Sequence, residues 1–178
     1  MKRVGLVAGL AAFAATAVLA ATRDGRTASP AQALAPVQKV VAGRRIDGIS
    51  CEPTEALLFH IHAHLTIYVG GARREVPAGV GIGTSCFMWL HTHAADGIIH
   101  TESPVERVYT LGDFFDVWGA PLGRRRVGNA QGRVVAFVDG RRVADDPRQI
   151  PLLPHAQIQL DVGTPLIPFE RISFPAGL

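Results

Sequence analysis

The chain is short of the residue types that define several common classes of binding protein. It has only two cysteines and two methionines among 178 residues. Because Met1 and Met88 are the only thioethers, the axial methionine of a blue-copper site has no obvious candidate, which argues against that class. No cysteine follows the N-terminal apolar run, so the sequence does not indicate lipid attachment there.

The chain also has no large excess of basic residues over acidic residues. The formal net charge is +3 at pH 7, and removal of Lys2 and Arg3 with a cleaved leader would leave about +1. The arginine runs are short and lie beside predicted turns, which is typical of solvated loops. We therefore expect no nucleic-acid partner.

No nucleophile motif is evident in the sequence. The chain is also too short for the barrel of metal-dependent amidohydrolases, which needs about 250 residues.

The N-terminus has the layout of an export signal. Lys2 and Arg3 precede an apolar and weakly polar run that ends near Ala21, so residues 1–21 are expected to be a signal peptide or a retained N-terminal anchor. Residues 22–48 lack a sustained hydrophobic period and predict a flexible linker. Residues 49–178 are expected to form a single histidine-rich β domain. The protein is thus expected to be secreted, periplasmic or at the cell surface, with membrane attachment if the N-terminal segment is retained.

Export changes the meaning of the two cysteines, Cys51 and Cys86. Thiols oxidise outside the cytoplasm, so we expect a disulfide between them. The chain-entropy model gives such a crosslink about 3 to 4 kcal/mol of stabilisation. Free thiols and a thiolate metal ligand are the alternatives.

Short apolar segments separated by turn residues predict a mainly β fold. We expect a sandwich or barrel-like domain of antiparallel hairpins with one short α-helix. Gly70-Gly71 and Asp139-Gly140 predict tight hairpin turns. A strand is expected over residues 156–162, and the proline-containing tail after it is expected to lie extended along a sheet edge.

The single helix is predicted from its cap. Thr110 stands at the N-cap position and Asp113 at the third helical position, which is a capping-box pattern. The helix is expected to end by Gly119. Its apolar residues have the spacing of a buried stripe and are interpreted as core: Leu111, Phe114, Phe115 and Trp118.

Histidine is the residue type that stands out, because six of the seven histidines lie between residues 60 and 100. In the later cluster, Asp96-Gly97 favours a two-residue type I′ turn. That turn would pair His93 with His100 and His91 with Glu102. One face of the hairpin would then present three imidazoles and a carboxylate, which is a plausible metal site. An odd-length loop would place the two sets on opposite faces.

The earlier cluster lies in Phe59–Val69, where apolar and polar residues alternate. This period predicts a strand with one buried face and with His60, His62 and His64 on the other. His60 and His64 would be about 13 Å apart along the strand, so at most an adjacent pair should ligate one ion. A histidine stripe that faces solvent is the alternative.

The candidate ligands are six imidazoles and one carboxylate: His60, His62, His64, His91, His93, His100 and Glu102. We expect a divalent transition metal, with copper or zinc the best fit to such ligands, in one site or two. Solvated or structural histidines are the competing interpretation. His155, which is apart from both clusters, is interpreted as a loop histidine.

Five segments form a recognisable set of motifs: His-x-His-x-His-Leu at 60–65, Val76–Ile82, Leu-His-Thr-His at 90–93, Gly-Ile-Ile-His at 97–100 and Thr110–Gly119. Together they resemble a group of predicted secreted prokaryotic proteins with no established activity. The resemblance covers most of the chain beyond the linker. It implies export and the domain limits, and it implies no mechanism. The donor set is also similar to that of cupins, although their glutamate follows His-x-His within one motif and Glu102 lies across the turn.

Three functions are compatible with this ligand set. The first is an extracytoplasmic metal-binding protein that holds copper or zinc for buffering, delivery or sensing. The second is a metalloenzyme in which His91, His93 and His100 hold an ion that activates water or dioxygen, with Glu102 as ligand or general base. The third is a structural or adhesion module in which zinc, or no metal, only stabilises the fold.

Overall fold

The computed structural model describes Met1 and residues 34–178. The predicted signal or anchor, apart from Met1, and the first part of the predicted linker lie outside the described residues. The strands and helices are β1 Arg45–Ile46, β2 Ile49–Glu52, β3 Phe59–Val69, β4 Ala72–Arg74, β5 Phe87–Met88, β6 Leu90–His91, β7 Ile98–Ser103, α1 Leu111–Trp118, β8 Leu122–Gly123, β9 Arg126–Val127, β10 Ala130–Gln131, β11 Val134–Val138, β12 Arg141–Val143, a 3-10 helix Pro147–Gln149 and β13 Gln157–Val162.

The strands form three sheets. The largest has seven strands in the order β12-β11-β13-β3-β7-β6, with β4 paired to β3, while β1-β2-β5 and β10-β9-β8 form two small sheets. The predicted mainly β fold with one short α-helix is confirmed, and within residues 34–178 the strands do not close into a barrel. Most neighbours are antiparallel, but β13 and β3 are parallel, which local sequence patterns cannot reveal.

β3 is the centre of the large sheet and has the predicted span. Along one edge its C-terminal half pairs with β13; along the other edge its N-terminal half pairs with β7 and its C-terminal end with β4. Its apolar residues Ala63, Leu65 and Ile67 belong to the hydrophobic core. The histidines therefore face the opposite side of a long strand that is paired along both edges, which is a rigid support for them.

Helix α1 packs into this core as predicted. Thr110 accepts a hydrogen bond from the Asp113 backbone N–H, and the Asp113 side chain accepts one from the Thr110 N–H, so the capping box is complete. Gly119 ends the helix in the left-handed conformation. The four predicted core side chains are fully buried: Leu111, Phe114, Phe115 and Trp118.

The hairpin predicted at Asp139-Gly140 is also confirmed. Val138 pairs with Arg141, and both loop residues have positive φ, as a type I′ turn requires. Gly70-Gly71 connects β3 to β4 with the same length of loop and the same sign of φ.

The polar face of β3 and β13 is covered by the C-terminal tail. The side-chain amide of Gln159 donates to the Ile167 carbonyl and accepts from the Glu170 N–H, while Gln157 makes the same two bonds with the backbone of Ile172. The tail thus lies across the sheet face, and not along an edge as expected. Side-chain amides on one strand act here as the hydrogen-bonding partners that a neighbouring strand would otherwise provide.

Packing of the described chain begins before residue 49. Leu34 and Val40 are buried in the core, and β1 precedes the expected start of the domain. Part of the expected linker therefore packs against the domain, through the buried side chains of Leu34, Ala35 and Val40. In the described part of the chain, no helix has the length and apolar character needed to cross a membrane.

Cys51 and Cys86 form the predicted disulfide, which joins β2 to the loop before β5. Their Cα atoms are 5.4 Å apart. This bond excludes the free thiols and the thiolate ligand that the sequence left open.

Candidate metal centre

Three histidines form a row across three neighbouring strands. His62 on β3 is opposite His100 on β7, and His100 is opposite His91 on β6. Directly opposed residues project from the same face of a sheet. The ring centroids are 4.6 Å apart for His62 and His100 and 5.4 Å apart for His100 and His91. The two sequence clusters therefore meet at His100.

The predicted hairpin register is wrong by two residues. His91 pairs with His100, and residues 92–97 connect the strands, so the two-residue type I′ turn is absent from the described loop. Asp96 instead accepts a hydrogen bond from the Ile98 N–H through its own Oδ1, at 2.9 Å. This local bond competes with the turn that the Asp-Gly pair favours. Because the shift is even, the histidines still share one face.

Two close pairs of ring nitrogens flank the row. The Nε2 atoms of His60 and His62 are 3.1 Å apart, and those of His91 and His93 are also 3.1 Å apart. Tetrahedral zinc, with bonds of about 2.0 to 2.1 Å, separates two ligand nitrogens by about 3.3 Å. Each pair thus has nearly the spacing of two ligands of one ion.

Glu102 places a carboxylate between these pairs. Its Oε1 lies 3.2 Å from His60 Nε2 and 3.6 Å from His100 Nδ1. Its Oε2 and His100 Nδ1 are buried and have no hydrogen-bond partner within the described residues. An unpaired buried polar atom costs about 1 to 3 kcal/mol. A cation at this point would satisfy both atoms.

The donor atoms fall into two overlapping groups, and within each group all of them lie within 4.8 Å of one another. The first group is His60, His62, His100 and Glu102, and the second is His91, His93, His100 and Glu102. The second group is the set that the sequence predicted. The first includes an adjacent pair of histidines from β3, as the spacing along that strand allows.

Burial keeps the inner imidazoles neutral. It lowers the pKa of His91 from 6.5 to about 4, and the pKa of His100 to about 3 with a further contribution from the neighbouring histidines. Burial also lowers the pKa of His62 and raises that of Glu102. Neutral imidazole is the form that binds a metal, so at pH 7 these rings are ready to bind without losing a proton.

A backbone contact sets the tautomer of His91. Its Nδ1 lies 2.9 Å from the Met88 carbonyl oxygen, which can only accept a hydrogen bond. Nδ1 therefore carries the proton and Nε2 directs its lone pair toward His93. Metal-bound histidines are typically held in this way by a carbonyl or carboxylate.

Sequence reasoning missed Glu55. Its Oε1 lies 3.6 Å from His91 Nε2 and 3.4 Å from His93 Nε2. Glu55 belongs to the loop between β2 and β3, and no local pattern distinguishes it from other loop carboxylates. The disulfide from Cys51 holds the start of this loop near the strand that leads to His91.

His64 and His155 are not brought into these groups. His64 is buried, and its Nε2 lies 2.9 Å from the Asp96 carbonyl oxygen. His155 is exposed, and its Nε2 lies 3.0 Å from the Leu178 carbonyl oxygen. The alternative interpretation of β3, a histidine stripe that faces solvent, is not found, since His62 and His64 are both buried.

A comparison of the chain with protein-family models, curated proteins and solved structures finds no match. The resemblance to a group of exported prokaryotic proteins therefore stays a prediction. Any functional interpretation depends on the geometry of the site itself.

Proposed function

We propose that this chain is an extracytoplasmic metal-binding protein that holds copper or zinc for buffering, delivery or sensing. The observation that carries the proposal is the convergence of five imidazoles on the buried carboxylate of Glu102. Without a cation, this arrangement leaves ring nitrogen and carboxylate oxygen unpaired inside the protein, which folded proteins generally avoid.

The chemistry of the donors supports a transition metal. Imidazole nitrogen and carboxylate oxygen suit zinc and copper(II), whereas calcium and magnesium are bound by oxygen. Cys51 and Cys86 are bonded to each other, so thiolate does not contribute. The candidate ligands are His91, His93, His100 and Glu102, joined by His60 and His62. His64 is a weaker candidate because its Nε2 is already satisfied.

Exposure of the site supports exchange of the ion. His60 is 38 % exposed and His93 45 % exposed, although their partners His62 and His91 are buried. Exposed ligands give solvent and an exchange partner access to a bound ion. A cluster with two ligands at the surface fits an ion that is loaded and released, and this favours buffering or delivery over a purely structural role.

A metalloenzyme is the second candidate, and Glu55 is the observation that favours it. A half-exposed carboxylate beside His91 and His93 could act as a general base toward a metal-bound water. Against this candidate, three cavities in the described part of the chain, of about 260, 680 and 230 Å³, are lined by other residues. None of these three cavities would therefore bring an organic substrate to the ion.

Export is part of the proposal. The Cys51–Cys86 disulfide is consistent with an oxidising compartment. The charged and apolar N-terminal layout adds a signal or anchor that would carry the domain there. Together they favour a protein that meets metal ions outside the cytoplasm.

The direct test is the metal content of protein that its own host exports. The protein is purified without added metal, and its metals are measured by inductively coupled plasma mass spectrometry. We expect copper or zinc in at least equimolar amount. The His91→Ala/His93→Ala variant should lose at least about half of it, because it removes two of the five clustered imidazoles. His155→Ala is the matched control, because it removes a histidine outside the cluster and should retain the full metal content. Equal metal in the double variant and the control would refute the proposal.

A further inference from the structure

We propose that the cluster is a dinuclear centre, in which two metal ions share Glu102 as a bridging carboxylate. One ion binds at the His60 and His62 pair and the other at the His91 and His93 pair. This inference rests on the proposed metal-binding function and specifies the number of ions and their relation.

The number of donors exceeds what one ion can use. Five imidazoles, Glu102 and Glu55 lie within contact distance of one another in a connected set. A protein zinc ion takes about four ligands. One ion would therefore leave about three ligand-type side chains without a function, and two of them would be histidines, one buried and one exposed.

The two pairs repeat one arrangement. Each consists of a histidine on a strand and a second histidine two positions away, with Nε2 atoms 3.1 Å apart. In each pair one ring is buried and the other faces solvent. A surplus of surface histidines would not reproduce both the spacing and the burial on two sides of the same carboxylate.

Glu102 has the position that a bridge requires. It belongs to both donor groups, and its two oxygens differ in their partners. Oε1 lies 3.2 Å from His60 Nε2, whereas Oε2 has no hydrogen-bond partner among the described residues. Oε1 is thus beside the His60 pair, and the unpaired Oε2 is available to a second ion. His100, with its unpaired Nδ1, completes the coordination of one of them.

The two halves of the centre differ in charge. Glu55 lies beside His91 and His93, so that half has a second carboxylate. Among the described residues, the half at His60 and His62 has only the shared one. A second negative ligand strengthens binding of a dication. The ion at His91 and His93 should therefore bind first and more tightly.

A shared carboxylate fixes the distance between the ions. Dinuclear protein sites hold their metals roughly 3.5 to 4 Å apart. At that separation two copper(II) ions couple magnetically, and the electron paramagnetic resonance signal of the loaded protein falls below the amount of copper present. An uncoupled pair of sites would give a signal equal to its copper content.

The test uses the full chain freed of metal and titrated with copper(II) chloride, and in parallel with zinc chloride. Native mass spectrometry counts the bound ions, and electron paramagnetic resonance measures their coupling. His60→Ala and His93→Ala each remove the exposed member of one pair, so they disturb the fold little. His155→Ala is the control for loss of an exposed histidine.

We expect two ions and a reduced copper signal in the natural protein and in His155→Ala. His60→Ala should bind one ion tightly and regain the full signal per copper, and His93→Ala should weaken the first binding step by at least about tenfold. Glu102→Gln should abolish the coupling. One tightly bound ion in the natural protein would overturn the dinuclear proposal and leave the proposed function standing. Two uncoupled ions would overturn the shared bridge, and no bound ion would overturn both proposals.

Discussion

His62 and His100 face each other across β3 and β7, with their ring centroids 4.6 Å apart. This contact joins two clusters of histidines that are separated in the sequence by the whole segment between β3 and β6. Because β3 is long and paired along both edges, the contact is set by the main sheet and not by a mobile loop. The candidate metal centre is therefore built on the most extensively paired strand in the described part of the chain.

His100 is expected to contribute to metal binding and to lower the stability of the metal-free protein. His100→Leu removes the buried, unpaired Nδ1 while keeping most of the side-chain volume. In metal-free protein the variant should be as stable as the natural chain or more stable by about 1 kcal/mol, because replacement of an unsatisfied polar group relieves its desolvation cost. Added zinc should raise its unfolding temperature less than it raises that of the natural protein.

The control for this prediction is His64→Leu. Its ring nitrogen contacts the Asp96 carbonyl, so the substitution removes a satisfied hydrogen bond and should destabilise the metal-free protein by about 1 kcal/mol. Thermal unfolding with chelator and with zinc gives both quantities. If both leucine variants lost equal stability without metal, His100 would be an ordinary structural residue.

The second prediction concerns the disulfide. Cys51→Ala/Cys86→Ala should lower the free energy of unfolding by about 3 to 4 kcal/mol, because a crosslink of this loop length restricts the unfolded chain. Urea unfolding measures the loss. A reducing agent should destabilise the natural protein by a similar amount and leave the variant unchanged. A response of the variant to the reducing agent would show that the effect does not come from this bond.

The third prediction concerns the tail. Gln159→Leu removes both hydrogen bonds that its side chain makes to the backbone at Ile167 and Glu170. We expect a loss of about 1 to 3 kcal/mol and faster amide exchange over residues 165–174. Gln131→Leu, at an exposed strand position, is the matched control and should leave exchange in the tail unchanged. Unchanged protection in Gln159→Leu would mean that the tail is held by other contacts.

The fourth prediction concerns pH. Burial raises the pKa of Asp161. The hydrogen bond that Gln159 donates to this carboxylate lowers the pKa, but by less than burial raises it. A carboxyl whose pKa is higher in the folded protein contributes stability that is present below its unfolded pKa, near 3.8, and is lost as the pH rises through the folded pKa. Relative to Asp161→Asn, the natural protein should therefore lose stability between about pH 3.5 and pH 7.

Urea unfolding of both proteins at these two pH values measures the difference. Metal-free samples are needed, because metal binding has its own pH dependence. A difference in free energy that is the same at both pH values would contradict the raised pKa.

Local sequence signals predicted much of the fold. The alternation over Phe59–Val69, the capping box at Thr110 and the turn at Asp139-Gly140 each depend on residues close together in the chain, and each is found where it was expected. The disulfide was predicted because the chain is expected to be exported and its two cysteines can pair only with each other.

Features set by distant contacts were not predictable in this way. The tail that covers the polar face of β3 is held by Gln157 and Gln159, and no local pattern marks these two side chains as partners of a backbone. Glu55 reaches His93 only because the three-dimensional path of the loop places it there. The prediction of the hairpin register was wrong for a different reason. The Asp96 side chain accepts a hydrogen bond from the backbone, and the loop is longer than the predicted two-residue turn.

The most direct test of the metal centre is anomalous X-ray diffraction from crystals of protein exported by its own host, recorded on both sides of the copper and zinc absorption edges. The geometry predicts anomalous density within about 2.0 to 2.2 Å of His91 Nε2, His93 Nε2 and an oxygen of Glu102. Histidine rings bonded only to one another and to water, with no anomalous density among them, would contradict the central claim.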